Sequence, residues 1–577
     1  MQMTRSWDFL GVPDLHAPSS GLNQSNLGDG VIVGILDTGI WPESRSFNDE
    51  VLGPVPTRCR GSCDWGSESG SSKFCNKKII GSRWYINGLL AEFGPPSNTS
   101  EFFSPRDAVG HGTHTVSTAA GSVASSVTFE GVGAGNARGG ATLARLAIYK
   151  VCWKMFDDGV CTTVDILKAF DDAIHDGVHV LSLSIGPGQD VFDNEELDGI
   201  AVGSLHAVME GITVVCAAGN SGPSPQSATN TAPWIITVAA STMDRAFQAP
   251  ITLGNNETVW PIGFESLTFM PDFLAYENDS TSDRGCDAEK FLMIAGKVVF
   301  SSINPTPCNL ISAILVGKKV KSCHGLGVIV TKDPEDDVNI LFHDFPLIHV
   351  DYEIGTRILH YILSEKSPTV KLSPSWTLIS KSITPRVALF SSSGPNYVAP
   401  AILKPDITAP GVNILAAVPS IYDKADNGPL PYPLLAAASP QKRGEPFDMG
   451  GGVVDPRVAA EPGLIYNMSL TDYIQYVCLE NVTTVRRTVT NVGHPKSVNQ
   501  VEVKPPLGTA VMVRPGVLVF GLGISKQSFE VEVTATAMEK TYAGYYFGSM
   551  TWRDGLHSVR IPIAVRMVTR SLFPTPP

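Results

Sequence analysis

Val31-Ile32-Val33-Gly34-Ile35-Leu36-Asp37-Thr38-Gly39 is a nearly continuous apolar run that ends on an acid and a turn. Four more apolar runs follow along the chain, at residues 147–151, 178–185, 213–217 and 235–240. Runs of this kind are typical of strands that are buried on both faces of a parallel sheet. Between them, residues 163–176 and 198–210 carry apolar side chains at helical spacing. The pattern predicts a doubly wound α/β domain whose functional groups gather at the carboxyl ends of the strands.

Composition limits the classes of protein and partner. The chain has 577 residues, of which 43% are hydrophobic, enough for a large core and several domains. Its net charge of −13 argues against a nucleic-acid partner, because phosphate binding needs clustered Lys and Arg. No apolar run approaches the roughly 18 residues of a membrane span, and the amino terminus lacks the pattern of an export signal. We expect a globular protein without a membrane or nucleic-acid partner. The sequence does not predict its oligomeric state.

Cysteines and glycosylation motifs point to a secretory ancestry. Two pairs of cysteines are close enough in sequence to form disulfide bonds that close loops, namely Cys152 with Cys161 and Cys63 with Cys75. In contrast, Cys216 lies in an apolar run typical of a core thiol. Asn-x-Ser/Thr motifs begin at Asn23, Asn98, Asn256, Asn278, Asn467 and Asn481. Such motifs and loop disulfides favour an oxidising compartment. The alternative is a cytosolic protein with reduced thiols and unused motifs.

Three residues in fixed order have the chemistry of acyl transfer. Asp37 ends the first strand, His111 lies at a helix start in the run 110–115, Gly-His-Gly-Thr-His-Thr, and Asn220 lies in the turn of residues 217–223. A buried carboxylate can hold an imidazole in one tautomer while the imidazole accepts and returns a proton. An amide can stabilise a developing oxyanion by about 3 kcal/mol. We therefore take Asp37, His111 and Asn220 as candidate catalytic residues.

Other polar residues near these motifs receive different interpretations. Ser184, Ile185 and Gly186 follow a predicted strand and could pair with an extended peptide substrate. We interpret His114 as a structural histidine and Asp107 as a structural or capping residue. No cluster has the spacing of metal ligands, so neither a metal nor a cofactor is expected.

The chain resembles the plant subtilases, a family of subtilisin-like serine peptidases. The likeness is carried by the aspartate, histidine and asparagine blocks at residues 35–44, 110–115 and 217–223, and it continues at residues 390–396 and 403–411. Residues 488–493 resemble the opening of the family's fibronectin-like sandwich, and residues 484–568 also alternate as an all-β sandwich does. The resemblance implies peptide or protein substrates and an extracellular location, in the apoplast or cell wall.

The resemblance also implies a domain plan. We expect a subtilisin-like parallel-sheet domain at residues 1–249 that resumes at residues 384–470 in truncated form. Between them, residues 250–383 carry short β-rich runs that resemble an inserted protease-associated domain. A fibronectin-III-like β-sandwich is expected at residues 484–568.

One block of the family pattern is missing. In the family, the segment that corresponds to residues 409–417 is followed by Gly-Thr-Ser-Met, whose serine is the nucleophile at the start of a buried helix. Here Val418-Pro419-Ser420-Ile421 leads instead to residues 446–452, which resemble sequence beyond that helix, and no Gly-Thr-Ser triplet occurs in the chain. Ser420 lacks the preceding Gly-Thr turn and is not expected to substitute. A deletion of this size predicts uncovered apolar surface where the helix would pack.

Three hypotheses follow from the missing block. In the first, the chain is an incomplete version of a secreted serine endopeptidase. In the second, it is a pseudoprotease that binds peptides or proteins without cleaving them. In the third, it is a by-product that does not fold. The first two share one expectation, that this chain is inactive as a peptidase because the nucleophile is absent.

Overall fold

The computed structural model describes most of the chain. The described residues are 4–12, 26–57, 60–64, 66, 74–95, 101–129, 131–155, 158–186, 198–261, 274–277, 294–301, 309–331, 345–380, 385–420, 444–468, 473, 484–536 and 543–567.

A seven-stranded parallel sheet forms the centre of the fold. Its strands in chain order are β1 Ile32–Asp37, β2 Ile79–Trp84, β3 Arg145–Lys150, β4 Val180–Leu183, β5 Thr213–Ala217, β6 Ile236–Ser241 and β7 Ile407–Pro410. In space they are ordered β2-β3-β1-β4-β5-β6-β7, and every neighbouring pair is parallel. The five strands predicted from apolar runs are confirmed within a few residues at their ends. The edge strands β2 and β7 were not predicted.

Helices cover both faces of the sheet, as a parallel sheet requires. Helices α2, Thr163–Asp176, and α3, Gly199–Met209, share one hydrophobic cluster with the inward side chains of β4 and β5. Helix α1, His111–Ala120, packs on the opposite face against β1 and β3 through Val116 and Ala120. The predicted helices at residues 163–176 and 198–210 are therefore confirmed, and His111 begins a helix as expected.

The face that carries α1 is incompletely covered over β4, β5 and β6. On these strands burial alternates, whereas every residue of β1 and β3 is buried. The register aligns Ser182, Val215 and Ile236 in one row on this face, and all three are less buried than their neighbours in sequence. Ile236 is 39% exposed. This face of β5 and β6 is therefore only partly covered by the rest of the protein.

An inserted unit leaves and rejoins the main domain through two small antiparallel sheets. One pairs Arg245–Gln248 with Trp376–Ile379, and the other orders Thr258–Val259, Ile251–Leu253 and Val370–Leu372. Beyond them is a four-stranded parallel sheet of Leu274–Glu277, Val298–Ser301, Gly327–Thr331 and Leu347–Val350, with helices Asn309–Ser322 and Tyr352–Ser364. The sequence predicted the β-rich runs of this unit but not its two helices.

The carboxyl-terminal part is a sandwich of two four-stranded antiparallel sheets. One contains Leu464–Tyr466, Thr484–Asn491, Lys526–Ala535 and Thr509–Arg514; the other contains Val517–Phe520, Ser497–Lys504, Gly544–Arg553 and Ser558–Met567. Trp552 and Phe529 lie in its core in an edge-to-face contact, with ring centroids 5.0 Å apart. The predicted all-β sandwich is confirmed.

Short elements and disulfides complete the described structure. The remaining helices are Ser6–Phe9, Asn26–Gly28, Arg45–Phe47, Asn87–Phe93, Pro446–Met449 and Pro456–Ala460, and two hairpins pair Ala124–Phe129 with Val132–Ala137 and Cys152–Met155 with Asp158–Cys161. Cys63 is bonded to Cys75 and Cys152 to Cys161, as expected from their spacing. Cys216 is buried and free, which confirms its assignment as a core thiol.

Substitution of two adjacent valines of β5 tests whether one face of the sheet is incompletely covered. Val214 faces the covered side and is 1% exposed, whereas Val215 faces the open side and is only half-buried. Val214→Ala is expected to lower the free energy of unfolding by about 2 kcal/mol, because two methyl groups and their packing are lost. Val215→Ala is expected to lower it by less than about 1 kcal/mol. Urea denaturation of the two variants measures the difference, and equal losses would show that both faces are covered.

Candidate functional site

The site is built around a contact between Asp37 and His111. Asp37 is the last residue of β1, and His111 is the first residue of α1. The His111 Nδ1 atom lies 2.7 Å from Asp37 Oδ1, although the two residues are 74 positions apart in sequence. The Asp37 side chain is 2% exposed and that of His111 is 30% exposed. The sequence prediction that these two residues meet at the carboxyl end of the central strand is consistent with this geometry.

Three hydrogen bonds fix the Asp37 carboxylate. Its Oδ1 atom accepts from the backbone N–H of Thr38 at 2.7 Å as well as facing His111. Its Oδ2 atom accepts from the Thr115 hydroxyl, one turn along α1, at 2.9 Å. A buried carboxylate with both oxygens engaged cannot rotate freely, so it holds the imidazole ring in one orientation.

A second buried carboxylate, that of Asp107, ties the start of α1 to the end of β1. Its Oδ1 atom accepts from the Thr38 hydroxyl at 2.9 Å and from the backbone N–H groups of Val109 and Gly110 at 3.0 and 2.7 Å. Its Oδ2 atom accepts from the N–H and the hydroxyl of Thr113 at 2.8 and 2.6 Å. Asp107 therefore satisfies amide groups that a helix start leaves without partners, the capping role inferred for it from the sequence.

The backbone at this junction approaches so closely that only glycine fits. Gly110 caps α1 with φ 95°, and Gly112 donates its N–H to the Thr38 hydroxyl at 2.8 Å. A Cβ atom on Gly112 would lie 2.2 Å from the carbonyl oxygen of Gly39. The small residues around His111 thus allow α1 to pack directly against the loop that follows β1.

The two histidines of α1 have opposite electrostatic environments. The negative charge of Asp37 raises the pKa of His111, against the smaller effect of burial. Burial lowers the pKa of His114, whose Nε2 atom lies 3.1 Å from the carbonyl oxygen of Ile414. A neutral His114 that donates to a backbone carbonyl fits the structural role inferred from the sequence.

Asn220 lies at the same edge of the sheet. It follows β5, two strands from β1 in the order β1-β4-β5, and its side chain is exposed. Gly219 has φ 101°, and Ser392 anchors the turn, because its N–H donates to the Gly219 carbonyl at 3.0 Å and its hydroxyl accepts from Ser221 N–H at 2.9 Å. Hydrogen bonds with Ser392 therefore fix the backbone of the turn, and the side chain of Asn220 is exposed to solvent.

Directly after β4 come Ser184, Ile185 and Gly186. Because β4 lies between β1 and β5, this segment lies between Asp37 and Asn220 along the edge of the sheet. The amide of the buried Asn230 donates to the carbonyl oxygens of Ile185 at 2.9 Å and Ala217 at 2.8 Å. Asn230 thus joins the ends of β4 and β5. Gly186 is exposed.

The chain that follows β7 runs along α1. Ala417 donates its N–H to the Ser117 hydroxyl at 3.0 Å, and the carbonyl of Ile414 contacts His114. The exposed Ser420 is the last described residue before Gly444.

The three serines of residues 391–393 are buried and serve the local backbone. Ser391 Oγ accepts from Ala240 N–H at 3.0 Å, and Ser393 Oγ donates to the carbonyl of Phe447 at 3.1 Å. Ser392 holds the Asn220 turn, as described above. These serines therefore have structural partners.

Sequence reasoning missed several residues that hold the site together. Thr38, Thr115 and Asn230 each make side-chain hydrogen bonds across more than ten residues of sequence. Lys150, which pairs with Asp37 in the sheet, is 1% exposed, and its ammonium donates to Glu101 at 2.7 Å and to the carbonyl of Arg106 at 2.7 Å. One feature of the sequence could have indicated Thr38 and Thr115, because both lie among small residues beside the motif residues.

No group of three or more potential metal ligands occurs among the residues that the structure describes. Within the same part of the chain, no helix combines the length and the apolar character needed to cross a membrane.

Comparison with known proteins gives two family matches. The sequence model of the subtilase family matches residues 28–444, and that of a fibronectin type III domain matches residues 472–565. Among solved structures, the psychrophilic subtilisin-like protease Apa1 from Pseudoalteromonas sp. AS-11 covers 64% of this chain and 79% of its own, at 14% identity and a TM-score of 0.30. That likeness is too low to add to the sequence match.

Curated relatives match almost the whole chain. Subtilisin-like proteases SBT3.6 and SBT3.7 of Arabidopsis thaliana are each 41% identical to it, over 98% of this chain and 84% of the relative. The aligned length of 662 residues exceeds the 577 residues of this chain, so both relatives contain segments without a counterpart here. From these matches and the parallel sheet, the chain belongs to the subtilase family of plant subtilisin-like serine proteases, with a fibronectin type III domain on its carboxyl side.

Proposed function

We propose that this chain retains the acid and base of a serine endopeptidase site but lacks the nucleophile, so that it does not cleave peptides. The observation that carries the proposal is the 2.7 Å contact of Asp37 with His111 in a chain without a Gly-Thr-Ser triplet. With Nδ1 facing Asp37, the Nε2 atom of His111 would be the nitrogen that exchanges a proton with a reacting hydroxyl. Asn220 would donate its amide to the oxyanion of an acyl-transfer intermediate.

Ser391, Ser392, Ser393 and Ser420 are not expected to substitute for the nucleophile. Ser391, Ser392 and Ser393 are buried and engaged with the backbone, as described above. Ser420 lies in a segment that lacks the Gly-Thr turn and the small residues of the family's serine helix. Loss of the nucleophile alone costs about 10⁶ in turnover in subtilisin. The same loss makes this chain inert as a peptidase, whether it is an incomplete version of an active enzyme or a mature product.

A second candidate function is peptide binding without cleavage. Ser184, Ile185 and Gly186 follow β4 at the same edge as Asp37 and Asn220, and Gly186 is exposed. An extended peptide could add to this segment by main-chain hydrogen bonds. Binding of a fluorescent peptide library by the secreted protein tests this candidate, and absence of binding at micromolar concentration would contradict it.

We also propose an extracellular location and a role for the inserted unit. The bonded cysteine pairs and the exposed Asn256 and Asn467 of two Asn-x-Ser/Thr motifs support a secreted glycoprotein; the other four motifs lie outside the described residues. Residues 250–383 would form a protease-associated domain that screens or positions substrates, between the two parts of the subtilisin-like domain at residues 1–249 and 384–470. The sandwich domain would span residues 484–568.

Titration of His111 tests its coupling to Asp37. Because the carboxylate raises the pKa of His111, Asp37→Asn is expected to lower the pH at which the ring titrates. A raised folded-state pKa stabilises the protein fully below the unfolded histidine pKa and loses that contribution as pH rises through the folded pKa. The stability advantage of the wild type over Asp37→Asn is therefore expected to be larger in mildly acidic solution than above neutrality.

Histidine ring resonances in NMR spectra measure this titration, and urea denaturation at several pH values measures the stability. An unchanged His111 titration in Asp37→Asn would show that the two side chains are not paired in solution.

A serine-directed fluorophosphonate probe tests the missing nucleophile. We expect no labelling of this chain, and peptide hydrolysis at least about 10⁶-fold below that of an intact subtilase assayed in parallel. The variant Ser420→Ala is expected to behave like the wild type. Labelling of the wild type that disappears in Ser420→Ala would overturn the proposal and identify Ser420 as the nucleophile.

A further inference from the structure

The three-stranded sheet of the inserted unit has one buried face and one open face. Burial alternates along its strands, which are Ile251–Leu253, Thr258–Val259 and Val370–Leu372. One face packs into the hydrophobic core of the unit. The other face carries Thr252 and Thr258, whose hydroxyl oxygens lie 3.0 Å apart. The exposed Lys371 pairs with Thr252 in the sheet and lies on the same open face.

Two tryptophans are stacked on each other at one end of this open face. Pairing of the first two strands continues past Val259, because the N–H of Ala249 donates to the carbonyl of Pro261 at 3.2 Å. The side chain of Trp260 therefore lies on the same face as that of Thr258, two residues earlier.

The stacking partner of Trp260 comes from the neighbouring two-stranded sheet. It is Trp376, the first residue of Trp376–Ile379. The two ring centroids lie 5.4 Å apart, and the ring planes differ by 14°. The Nε1 atom of Trp376 donates to Oε1 of Gln248 at 3.3 Å. Even so, Trp260 is 46% exposed and Trp376 is 52% exposed.

The chemistry of this face suits a carbohydrate. Two contiguous exposed indole rings indicate an interaction surface more strongly than a single exposed apolar side chain does. An indole offers a flat apolar surface on which the apolar side of a pyranose ring can stack. The hydroxyls of Thr252 and Thr258 and the ammonium of Lys371 can bond to sugar hydroxyl groups.

An attachment point for a carbohydrate lies at the tip of the same sheet. The exposed Asn256 begins the motif Asn256-Glu257-Thr258, in the turn that joins the first two strands. The turn is fixed by hydrogen bonds from Leu253 N–H to the Glu257 carbonyl at 2.8 Å and from Asn256 N–H to the Leu253 carbonyl at 2.9 Å. Trp260 is four residues further along, at most about 14 Å away even in a fully extended chain. The first few rings of an Asn-linked glycan can span this distance.

We propose that an N-linked glycan on Asn256 lies along the open face and stacks on the pair of Trp260 and Trp376. The contact rests on the proposed function, because only a secreted chain acquires such a glycan. The side-chain nitrogen of Asn256 forms a bond to the anomeric carbon of a lipid-linked oligosaccharide diphosphate, the lipid diphosphate leaves, and the amide gives up one proton. A tethered ligand needs little intrinsic affinity, because the tether keeps its effective concentration high.

The contact has a consequence for the inserted unit. Trp260 follows a strand of one small sheet and Trp376 belongs to the other, and the inserted unit joins the main domain through these two sheets. A glycan that stacks on both rings covers this junction and links the two sheets on their solvent side.

Oxidation of tryptophan side chains, followed residue by residue by mass spectrometry, tests the contact. The full chain is secreted from cells that keep N-glycans in the high-mannose form, and occupancy of Asn256 is read from the same peptide spectra. Asn256→Gln is expected to be oxidised several-fold faster than the wild type at Trp260 and Trp376, because the glycan no longer covers the rings. Asn467→Gln, which removes the other exposed motif, is the matched control and is expected to leave both rates unchanged.

Release of the glycan from the folded protein gives a second readout. A glycosidase that cleaves high-mannose glycans is expected to act on Asn256 several-fold faster in Trp260→Ser than in the wild type. Its rate at Asn467 is expected to be the same in both proteins. Oxidation of the glycosidase-treated wild type is expected to match that of Asn256→Gln, which removes any effect of the substitution itself.

The possible results separate this contact from the proposed secretion. An occupied Asn256 with equal oxidation of the two tryptophans in the wild type and in Asn256→Gln would overturn the contact and leave the secreted glycoprotein standing. An unoccupied Asn256 would overturn both the contact and glycosylation at this motif. Slow oxidation that persists in Asn256→Gln would assign the tryptophan pair to another occupant and would also overturn the proposal.

Discussion

The buried Asp37 carboxylate joins the central sheet to the helix that carries His111. It ends β1, and both of its oxygens are taken by groups on the next loop and on α1. Asp107 makes a parallel connection from Thr38 to the start of the same helix. Two carboxylates removed from water need this many donors, because each unpaired oxygen would cost more than the helix contact returns. The position of His111 follows from that requirement.

The requirement explains how the contact of Asp37 with His111 can form without the nucleophile segment that we propose to be missing. The hydrogen bonds around Asp37 and Asp107 either lie within residues 37–41 or 107–115 or connect these two segments. The incompletely covered Val215 and Ile236 lie elsewhere, on the face of β5 and β6 that carries α1. If a nucleophile helix is missing, as we propose, its chemical effect and its packing effect would fall at different places in the sheet.

The main sheet was predictable from sequence because its central strands are apolar on both faces. The edge strands β2 and β7 were missed since Gly81, Ser82 and Arg83 in one, and Thr408 and Pro410 in the other, interrupt the apolar pattern. Asp37, His111 and Asn220 were found from their motifs. The hydrogen bonds that support these residues were not predicted. Thr38 contacts Asp107 across 69 residues of sequence, and such a pair leaves no local pattern.

The most direct test of this account restores what the chain lacks. The family's nucleophile block, Gly-Thr-Ser-Met with the helix that it begins, would be inserted directly after Ser420, and the product treated with a fluorophosphonate probe. If Asp37 and His111 are assembled and only the nucleophile is missing, the inserted serine is expected to react, and His111→Ala in the same chain is expected to abolish the reaction. A folded product that stays unlabelled, or labelling that persists without His111, would contradict the account.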